Sequence, residues 1–546
     1  MLKGMMMDRP LLVSSILDYA ADVHTSTEIV SATIEGGLHR TTYGETRTRI
    51  ARLANALRDL GVKPGDRVAT LAWNGYRHFE LYYAISGIGA VCHTINPRLF
   101  AGQLGYIVNH AQDTLLFFDL TSLPLVEQLA PTWPASLRYA AMTDRAHMPR
   151  ETSLPDLLCY EDILATGAPS IVWPDFDENS ACALCYTSGT TGDPKGVLYS
   201  NRAMVLHALF VLASCGASLK SGARILPVVP LFHANAWGLP YAAPLAGAAL
   251  IFPGAKLDGE SLFALMDAEG VTASWGVPTV WLGVLAEMRK QGRKPHALQQ
   301  VLTGGSAAPR SLIHALECDF GLDVTHGWGM TEMSPVGTVT RFSTEEQQLP
   351  TDARVELKTY QGRRMFGVEL KLVGEDGQRV AHDGVATGEL FVRGPAIVSG
   401  YYKSEADDTA KVLDSEGWFG TGDVARITPD GYLVIVDRTK DLIKSGGEWI
   451  SSIDIENIAM GCPGIANAAV IAVPHPKWHE RPLLVVVKAK GAEPTRESIL
   501  AHLASQLAKW QLPDDIAFVD QIPLTATGKI SKRELREQFE GHKLPK

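Results

Sequence analysis

The stretch from Tyr186 to Gly196 carries a dense set of groups that could bind phosphate. It reads Tyr-Thr-Ser-Gly-Thr-Thr-Gly-Asp-Pro-Lys-Gly. Gly189 and Gly192 let the backbone turn sharply and bring its N–H groups close to an anion. Side-chain donors suited to phosphate come from Thr187, Ser188, Thr190, Thr191 and Lys195. The pattern predicts a phosphate-binding loop, and a polar surface turn is the less favoured interpretation.

This loop is not a Walker A sequence. Gly196 follows Lys195, where a Walker A loop has the Ser or Thr that holds magnesium. A P-loop kinase or ATPase, which would release ADP, is therefore disfavoured.

The elements that must position this loop alternate between helices and strands. Thr42 and Glu45 form a capping-box pattern, and apolar residues then follow at helical spacing. Strands alternating with helices predict an α/β fold, with a mainly parallel sheet covered by helices on both faces. Since ligands bind beyond the carboxyl ends of such strands, three Gly- and Pro-rich loops are candidates for one shared site: 227–240, 304–309 and 327–337.

Near Asp437 the pattern changes. A compact α+β segment follows, with two predicted strands and a helix predicted from Arg496 to about Trp510. We expect a domain boundary here and a small C-terminal domain of about 100 residues, a size at which domains commonly fold alone.

Composition excludes several classes of protein. The formal charge of −10 argues against a nucleic-acid surface, and 46% hydrophobic with 20% charged residues is ordinary for a soluble protein. Seven irregularly spaced cysteines do not form a disulfide framework. Cys182 and Cys185 form a C-x-x-C pair, for which a buried strand is favoured over a metal or redox role.

No segment of the sequence predicts a membrane anchor. Asp8, Arg9 and Pro10 interrupt the apolar N-terminus, which makes it a poor secretory signal. The apolar run from Tyr241 to Phe252 is short of the roughly 20 residues needed to span a bilayer. We expect a cytoplasmic protein without a transmembrane segment.

Further motifs stand in a fixed order along the chain. Besides Tyr186 to Gly196 they are Pro230 to Trp237, Gly304-Gly-Ser306, Gly327 to Glu332, Arg393-Gly-Pro395, Thr421-Gly-Asp423, Asp437-Arg438, Ser445 to Trp449 and Thr527-Gly-Lys529. Together they resemble the adenylate-forming superfamily of acyl-CoA synthetases, peptide-synthetase adenylation domains and beetle luciferases. The resemblance runs from roughly Thr42 to Leu535.

The resemblance implies roles in binding and activating ATP. Lys529 would bridge the acid's carboxylate and the α-phosphate, two anions that repel each other. Glu332, with Thr187, would hold Mg²⁺, a hard cation suited to oxygen ligands. Trp328, a tyrosine in much of the superfamily, would stack on adenine, and Asp423 supported by Arg438 would hold the ribose. The other implied nucleotide contacts are Gly305, Ser306, Ala307, Gly329, Met330 and Thr331.

A second half-reaction would place coenzyme A where the phosphates were. The superfamily rotates its C-terminal domain between the two steps, and Lys440 matches the hinge position. This implies an N-terminal domain of residues 1–437, a hinge of residues 438–441 and a mobile C-terminal domain of residues 442–546. Rotation would bring the pantetheine channel into place: Gly446, Gly447, Glu448 and Trp449.

The acid would lie in an apolar pocket. Its implied wall comprises His233, Trp237, Val277, Pro278, Gly304, Gly305 and Met330. Trp237 resembles the gating tryptophan of fatty acyl-CoA synthetases. The plainer interpretations are a satisfied loop polar group for His233 and core packing for Trp237.

The predicted function is ATP-dependent, AMP-forming ligation of a carboxylic acid to coenzyme A. The Ser445 and Cys92 regions look like bacterial medium-chain fatty acyl-CoA ligases, whose relatives take methylthioalkanoates or aryl-substituted alkanoic acids. One methylene is worth about 1–3 kcal/mol in such a pocket, so several acids could be accepted. The alternatives are an adenylating enzyme with a non-CoA acceptor and, more remotely, a non-catalytic binding protein. A homodimer is expected by analogy alone.

Overall fold

The computed structural model describes residues 1–187, 193–216, 218–404, 412–446, 448–525 and 529–544. In chain order the described strands are β1 Glu28–Ala32, β2 Leu38–Thr42, β3 Arg67–Leu71, β4 Val91–Ile95, β5 Leu115–Phe118, β6 Arg138–Ala141, β7 Leu158–Cys159, β8 Ala181–Tyr186, β9 Gly196–Ser200, β10 Arg224–Pro227, β11 Ala249–Phe252, β12 Ala273–Gly276, β13 Gln300–Thr303, β14 Asp323–Gly329, β15 Val336–Val339, β16 Arg363–Arg364, β17 Glu369–Val373, β18 Gly388–Arg393, β19 Phe419–Ile427, β20 Leu433–Arg438, β21 Ile443–Ser445, β22 Glu448–Ile450, β23 Ile465–His475, β24 His479–Lys488 and β25 Asp515–Val519.

Helices connect most of these strands. In chain order they are α1 Ser14–Val23, α2 Tyr43–Asp59, α3 Tyr76–Gly87, α4 Ala101–Ala111, α5 Leu123–Leu129, α6 Tyr160–Thr166, α7 Asn201–Cys215, α8 Leu239–Ala246, α9 Gly259–Ala268, α10 Pro278–Gln291, α11 Arg310–His314, α12 Thr344–Gln347, α13 Thr351–Thr359, α14 Ser452–Ala459, α15 Arg496–Ala504 and α16 Lys532–Gln538. Single turns of tighter or wider helix lie at Leu120–Ser122, Ala130–Thr132, Arg145–His147, Ala315–Asp319, Thr331–Met333 and Lys509–Gln511.

Two large sheets form the N-terminal part. The seven-stranded sheet has the order β7-β6-β5-β3-β4-β8-β9, and only β9 runs antiparallel to its neighbour. The nine-stranded sheet has the order β16-β15-β14-β13-β12-β10-β11-β1-β2, with a parallel centre and antiparallel edges. The central strands are almost completely buried, as expected for parallel sheets covered on both faces.

Local sequence signals account for several element ends. Thr42 caps α2 in a full capping box with Glu45, as predicted. Gly61 follows that helix with φ of +85°, a conformation that glycine adopts without steric penalty. The predicted helix from Arg496 does not reach Trp510: it ends at Ala504, because Ala508 takes an extended conformation.

Cys182 and Cys185 lie in β8 and are both buried, so the preference for a buried strand over a metal or redox pair is confirmed. Burial raises the pKa of both thiols, to about 11 for Cys185, which disfavours the reactive thiolate.

Two smaller sheets follow. An antiparallel sheet β17-β18-β19-β20 leads into the C-terminal segment. That segment forms a five-stranded sheet of β21 to β25 packed against α14 and α15, with a core of its own around Ile443, Val470 and Leu484. The predicted fold class, a large mainly parallel α/β part with a smaller α+β C-terminal domain, is confirmed. The exact division at residues 438–441 stays a prediction.

Within the described ranges, no helix combines the length and apolar character that crossing a membrane requires.

Candidate active site

The predicted phosphate loop is closed at its base by two hydrogen bonds. It connects the antiparallel strands β8 and β9. The Thr187 amide donates to the Lys195 carbonyl at 2.8 Å, and the Lys195 amide donates to the Thr187 hydroxyl at 3.3 Å. The chain therefore leaves and re-enters the sheet at one point, which fixes the ends of the loop. The other predicted loop residues lie outside the described residues: Ser188, Gly189, Thr190, Thr191 and Gly192.

Glu332 lies in the single turn that follows β14. The side chains of Thr331 and Glu332 are both buried. The Thr331 carbonyl accepts the Tyr199 hydroxyl at 2.7 Å, and the Glu332 carbonyl accepts the Val398 amide at 2.9 Å. Two hydrogen bonds to backbone carbonyls, one from Tyr199 and one from Val398, thus hold the turn that carries the predicted metal ligand.

Tyr401 contacts the Glu332 carboxylate, although it is not among the residues predicted from the sequence. Its hydroxyl donates to Glu332 Oε1 at 2.8 Å. The Tyr401 ring also contacts a cation, since Lys195 Nζ lies 4.9 Å from the centre of the ring. The local sequence, Gly400-Tyr401-Tyr402, contains no motif that would have identified Tyr401 as a site residue.

Asp423 is buried and has partners on both carboxylate oxygens. The Trp328 indole N–H donates to Oδ2 at 2.9 Å, and Arg438 Nε lies 2.7 Å from Oδ1. Burial raises the pKa of Asp423, while the Arg438 charge opposes that shift. The structure therefore brings together the three residues predicted to hold adenine and ribose.

Lys529 reaches these residues from the C-terminal domain. Its backbone is held by Thr525, which donates its amide to the Lys529 carbonyl and accepts the Lys529 amide on its hydroxyl at 3.2 Å. Burial and the positive charge of Arg438 lower the pKa of Lys529 to about 8, whereas Asp423 and Glu332 act in the opposite sense. The ammonium thus lies in the field of both predicted nucleotide-binding carboxylates.

Gly305 is the point where the predicted nucleotide and acid sites meet. A Cβ added there would lie 3.3 Å from Val277 Cγ1, 3.4 Å from Lys529 Cε and 3.6 Å from the Trp237 ring. Its φ is +82°, so a larger residue would also be strained. Lack of a side chain at this position lets Lys529 and Trp237 approach one another.

The remaining predicted wall residues lie on several different elements. Trp237 is buried, and its ring lies 3.4 Å from a Cβ added at Gly304. Pro278 begins α10 directly after Val277. Met330 packs against the cluster around Met333 and Phe419. Ser306 and Ala307 lie on the loop that follows β13, and Gly329 is the last residue of β14.

His233 is neutral in this environment. Burial and the nearby charge of Lys529 lower its pKa to about 3. It therefore offers one N–H donor and one nitrogen acceptor at ordinary pH rather than a cation.

The segment after His233 has a backbone that its sequence did not predict. Four residues without a glycine take left-handed conformations, with φ between +43° and +58°: Ala234, Asn235, Ala236 and Trp237. Each such residue costs about 1–2 kcal/mol, so the surrounding contacts must hold the turn. Strained backbone of this kind concentrates at functional sites, and Trp237 is one of the strained residues.

The predicted coenzyme A channel lies elsewhere in this conformation. The Gly446 amide donates to the Trp478 carbonyl at 3.0 Å, and the Trp449 indole donates to Glu375 at 3.1 Å. Neither partner is among the residues around Lys529. Glu448 is exposed, and Gly447 lies outside the described residues.

The predicted hinge residue Lys440 is also exposed, and its carbonyl accepts Arg536 at 3.4 Å. The carboxylate of Asp437, just before it, accepts the Ser452 amide at 2.7 Å and the Ser452 hydroxyl at 2.6 Å. Contacts on both sides of Lys440 therefore hold the present orientation of the C-terminal domain.

The oxygen ligands near the loop fit a magnesium ion held mainly by phosphates. Glu332 supplies a buried carboxylate and Thr187 a hydroxyl. The described part of the chain contains no group of three acidic, His or Cys side chains that would form an all-protein metal cage. Magnesium is typically bound by one or two carboxylates together with substrate phosphates, which is the donor set available here.

Two family models match the chain. The model of the AMP-binding enzyme matches residues 17–402, and that of the AMP-binding enzyme C-terminal domain matches residues 454–529. The chain belongs to the AMP-binding enzyme family.

Individual relatives of this AMP-binding enzyme extend over nearly its full length. A 3-methylmercaptopropionyl-CoA ligase of Ruegeria lacuscaerulensis is 49% identical over 536 residues, which cover 98% of each chain. A medium-chain-fatty-acid–CoA ligase of Ectopseudomonas oleovorans is 45% identical over 538 residues, covering 98% of this chain and 97% of the relative. The crystal structure of the anthranilate CoA ligase AuaEII with anthranoyl-AMP aligns with a TM-score of 0.86 and 25% identity, covering 97% and 98% of the two chains.

These similarities confirm the resemblance to the adenylate-forming superfamily and to bacterial medium-chain acyl-CoA ligases. They also confirm the predicted enzyme class, an AMP-forming acid–CoA ligase with ATP and coenzyme A as substrates.

Proposed function

We propose that this AMP-binding enzyme converts a medium-chain, methylthio- or aryl-substituted alkanoic acid to its acyl-CoA through an acyl-adenylate. The observation that carries the mechanism is the position of Lys529, which reaches from the C-terminal domain to Gly305 and the field of Asp423 and Glu332. A cation at the meeting point of the nucleotide and acid sites is what attack of one anion on another requires.

In the adenylation step, each residue group has one task. The phosphate loop, closed by Thr187 and Lys195, binds the phosphates of ATP. Trp328 and Asp423 orient the adenosine, and the charge of Arg438 opposes the rise in the Asp423 pKa that burial causes. Lys529 stabilises the charge that develops as the carboxylate oxygen approaches the α-phosphorus and pyrophosphate leaves.

Magnesium is part of this proposal. Glu332 and Thr187 would hold it beside the phosphates, where it would neutralise charge on the leaving pyrophosphate.

Thioester formation requires a different arrangement of the C-terminal domain. We propose rotation about Lys440, which would withdraw Lys529 and bring the Gly446–Trp449 hairpin to the acid site. The contacts of Asp437 with Ser452, and of Trp449 with Glu375, would break during that rotation. Holding the thiol beside the adenylate is a proximity effect, for which effective molarities reach about 10⁵–10⁸ M.

The class of acid is inferred from the pocket and the relatives. The wall formed by Trp237, Val277 and Pro278 is apolar and offers no carboxylate for an α-amino group. Relatives that are 45–49% identical in sequence to this chain are named for a methylthio acid and for medium-chain fatty acids. The absence of a side chain at Gly305 lets Lys529 approach this wall, which is where the carboxyl end of such a chain would lie.

The test is release of AMP and pyrophosphate from ATP and Mg²⁺ across a panel of acids, with and without coenzyme A. The panel contains short to long fatty acids, methylthioalkanoates, aryl-alkanoates and amino acids. We expect AMP and acyl-CoA in equal amounts, with the best rates for the medium-length acids. Pyrophosphate release without acyl-CoA in any reaction would contradict the coenzyme A step and favour another acceptor.

A cytoplasmic location and a homodimer complete the proposal. The homodimer rests on analogy alone, and sedimentation of the purified chain tests it directly.

A further inference from the structure

Tyr401 joins two parts of the active site that come from distant segments of the chain. Its hydroxyl donates to Glu332 Oε1 at 2.8 Å, while its ring lies 4.9 Å from the ammonium of Lys195. Glu332 follows β14 in the nine-stranded sheet, whereas Lys195 precedes β9 in the seven-stranded sheet. One phenol therefore contacts the acidic residue of one sheet and the basic residue of the other.

The segment that carries Tyr401 is fixed on both sides. The Val398 amide donates to the Glu332 carbonyl at 2.9 Å, and the Tyr402 amide donates to the Gly196 carbonyl at 2.8 Å. Lys403 Nζ donates to the His110 carbonyl and the Gln112 side chain, both at 2.8 Å. Tyr401 is therefore held between its two partners by backbone contacts on either side of it.

The phenol contacts two groups of opposite charge. In the described part of the chain, no ion pair joins Lys195 to Glu332, although both contact the same side chain. A hydrogen bond from the hydroxyl occupies one of roughly four acceptor positions of a carboxylate and leaves the others for a cation. A direct ion pair with Lys195 would instead neutralise the carboxylate.

We propose that Tyr401 is a positioning residue that holds Glu332 available to a divalent cation and keeps Lys195 available to the phosphates of ATP. The proposal rests on the proposed function, since it assigns Glu332 to magnesium and Lys195 to phosphate. It predicts two separable effects of Tyr401: the hydroxyl supports the metal ligand, and the ring supports the loop cation.

Two variants separate these effects. Tyr401→Phe keeps the ring and removes the hydroxyl, whereas Tyr401→Leu removes both. Tyr402→Phe is the matched control, because among the described residues its hydroxyl bonds to the Ala111 carbonyl, at 3.4 Å, and not to Glu332. All three variants replace a tyrosine by an apolar residue, and thermal unfolding shows whether each variant remains folded.

The measurement is calorimetric titration of ATP into the full-length protein, in chelator and then at stepped magnesium concentrations. For Tyr401→Phe we expect unchanged ATP affinity in chelator but about tenfold to a hundredfold more magnesium to reach half of the full affinity gain, the effect of one lost hydrogen bond to a charged group. Tyr401→Leu should show the same shift and bind ATP about threefold more weakly in chelator, because the cation–π contact is lost as well. Tyr402→Phe should match the unaltered protein.

A magnesium dependence of Tyr401→Phe equal to that of the unaltered protein would overturn the proposal. So would equal shifts in Tyr401→Phe and Tyr402→Phe, since a merely structural role would affect both. Because binding needs no acid, an unaltered protein that binds ATP but activates no acid would contradict the proposed function, while the Tyr401 comparison would still be decided. Absence of ATP binding by the unaltered protein would overturn both.

Discussion

The indole N–H of Trp328 donates to Asp423 at 2.9 Å, so the ring predicted to lie beside adenine is tied to the carboxylate predicted to hold ribose. Arg438 Nε lies 2.7 Å from the other carboxylate oxygen of Asp423. A tyrosine at position 328 would have no N–H at this point. The tryptophan therefore adds a hydrogen bond to the predicted nucleotide site besides a flat face.

We expect Trp328→Phe to weaken ATP binding about tenfold to a hundredfold. The aromatic face remains, but Asp423 loses a hydrogen bond to a buried charged group. ATP titration monitored by calorimetry measures the effect.

The control for this variant is Trp73→Phe. The Trp73 indole also donates a hydrogen bond, to Thr121 at 3.1 Å, but it lies outside the nucleotide site. Equal losses of ATP affinity in both variants would show that the Trp328–Asp423 bond has no special role.

Much of the candidate site could be proposed from the sequence because its residues lie in short, ordered motifs. Lys529, Glu332 and Asp423 were singled out by their neighbours in sequence, and the structure places Lys529 in the field of the other two. Their roles stay predictions. The parallel sheets could likewise be predicted, because the spacing of apolar residues indicates helices and strands, and their alternation is typical of a parallel sheet.

What the sequence did not predict depends on long-range contacts. Tyr401 lies 69 residues from its partner Glu332, and only the folded chain brings the two together. The left-handed turn from Ala234 to Trp237 contradicts local propensity, because it contains no glycine. Tertiary contacts override local preference at both places.

We expect Lys529→Ala to lose adenylation by about 10²–10³-fold with the fold retained, the loss typical of removing a group that stabilises transition-state charge. Thioester formation from supplied acyl-adenylate should largely survive, because that step does not need the lysine. Pyrophosphate release and acyl-CoA formation measure the two half-reactions separately.

Lys488→Ala is the matched control, since Lys488 also belongs to the C-terminal domain but pairs with the exposed Glu493. Its activity should be unchanged. Equal loss of both half-reactions in Lys529→Ala would refute the proposed division of labour.

The pH dependence of adenylation should follow Lys529. Its pKa is lowered to about 8, so in the free enzyme the ammonium is lost as pH rises through that value, and kcat/KM should fall there. With ATP bound, the phosphates favour the charged form, so the fall in kcat should lie at higher pH. Initial rates of pyrophosphate release across the alkaline range give both profiles.

Lys529→Arg provides the control for this assignment. A guanidinium stays charged throughout the range, so the alkaline fall near pH 8 should disappear even though the absolute rate is lower. Persistence of the same fall in Lys529→Arg would assign it to another group.

The hinge prediction concerns Lys440. Proline fixes φ near about −65°, so Lys440→Pro should resist the backbone change that rotation requires. The adenylate should form at a nearly normal rate, because the present orientation already places Lys529 at Gly305. Transfer to coenzyme A should slow by an order of magnitude or more, seen in single-turnover experiments as acyl-adenylate that accumulates before acyl-CoA appears. Lys440→Ala removes the same side chain without restricting φ and should transfer normally. If Lys440→Pro makes acyl-CoA as fast as Lys440→Ala, the rotation does not pass through residue 440, and the neighbouring Asp437 and Asp441 become the positions to restrict.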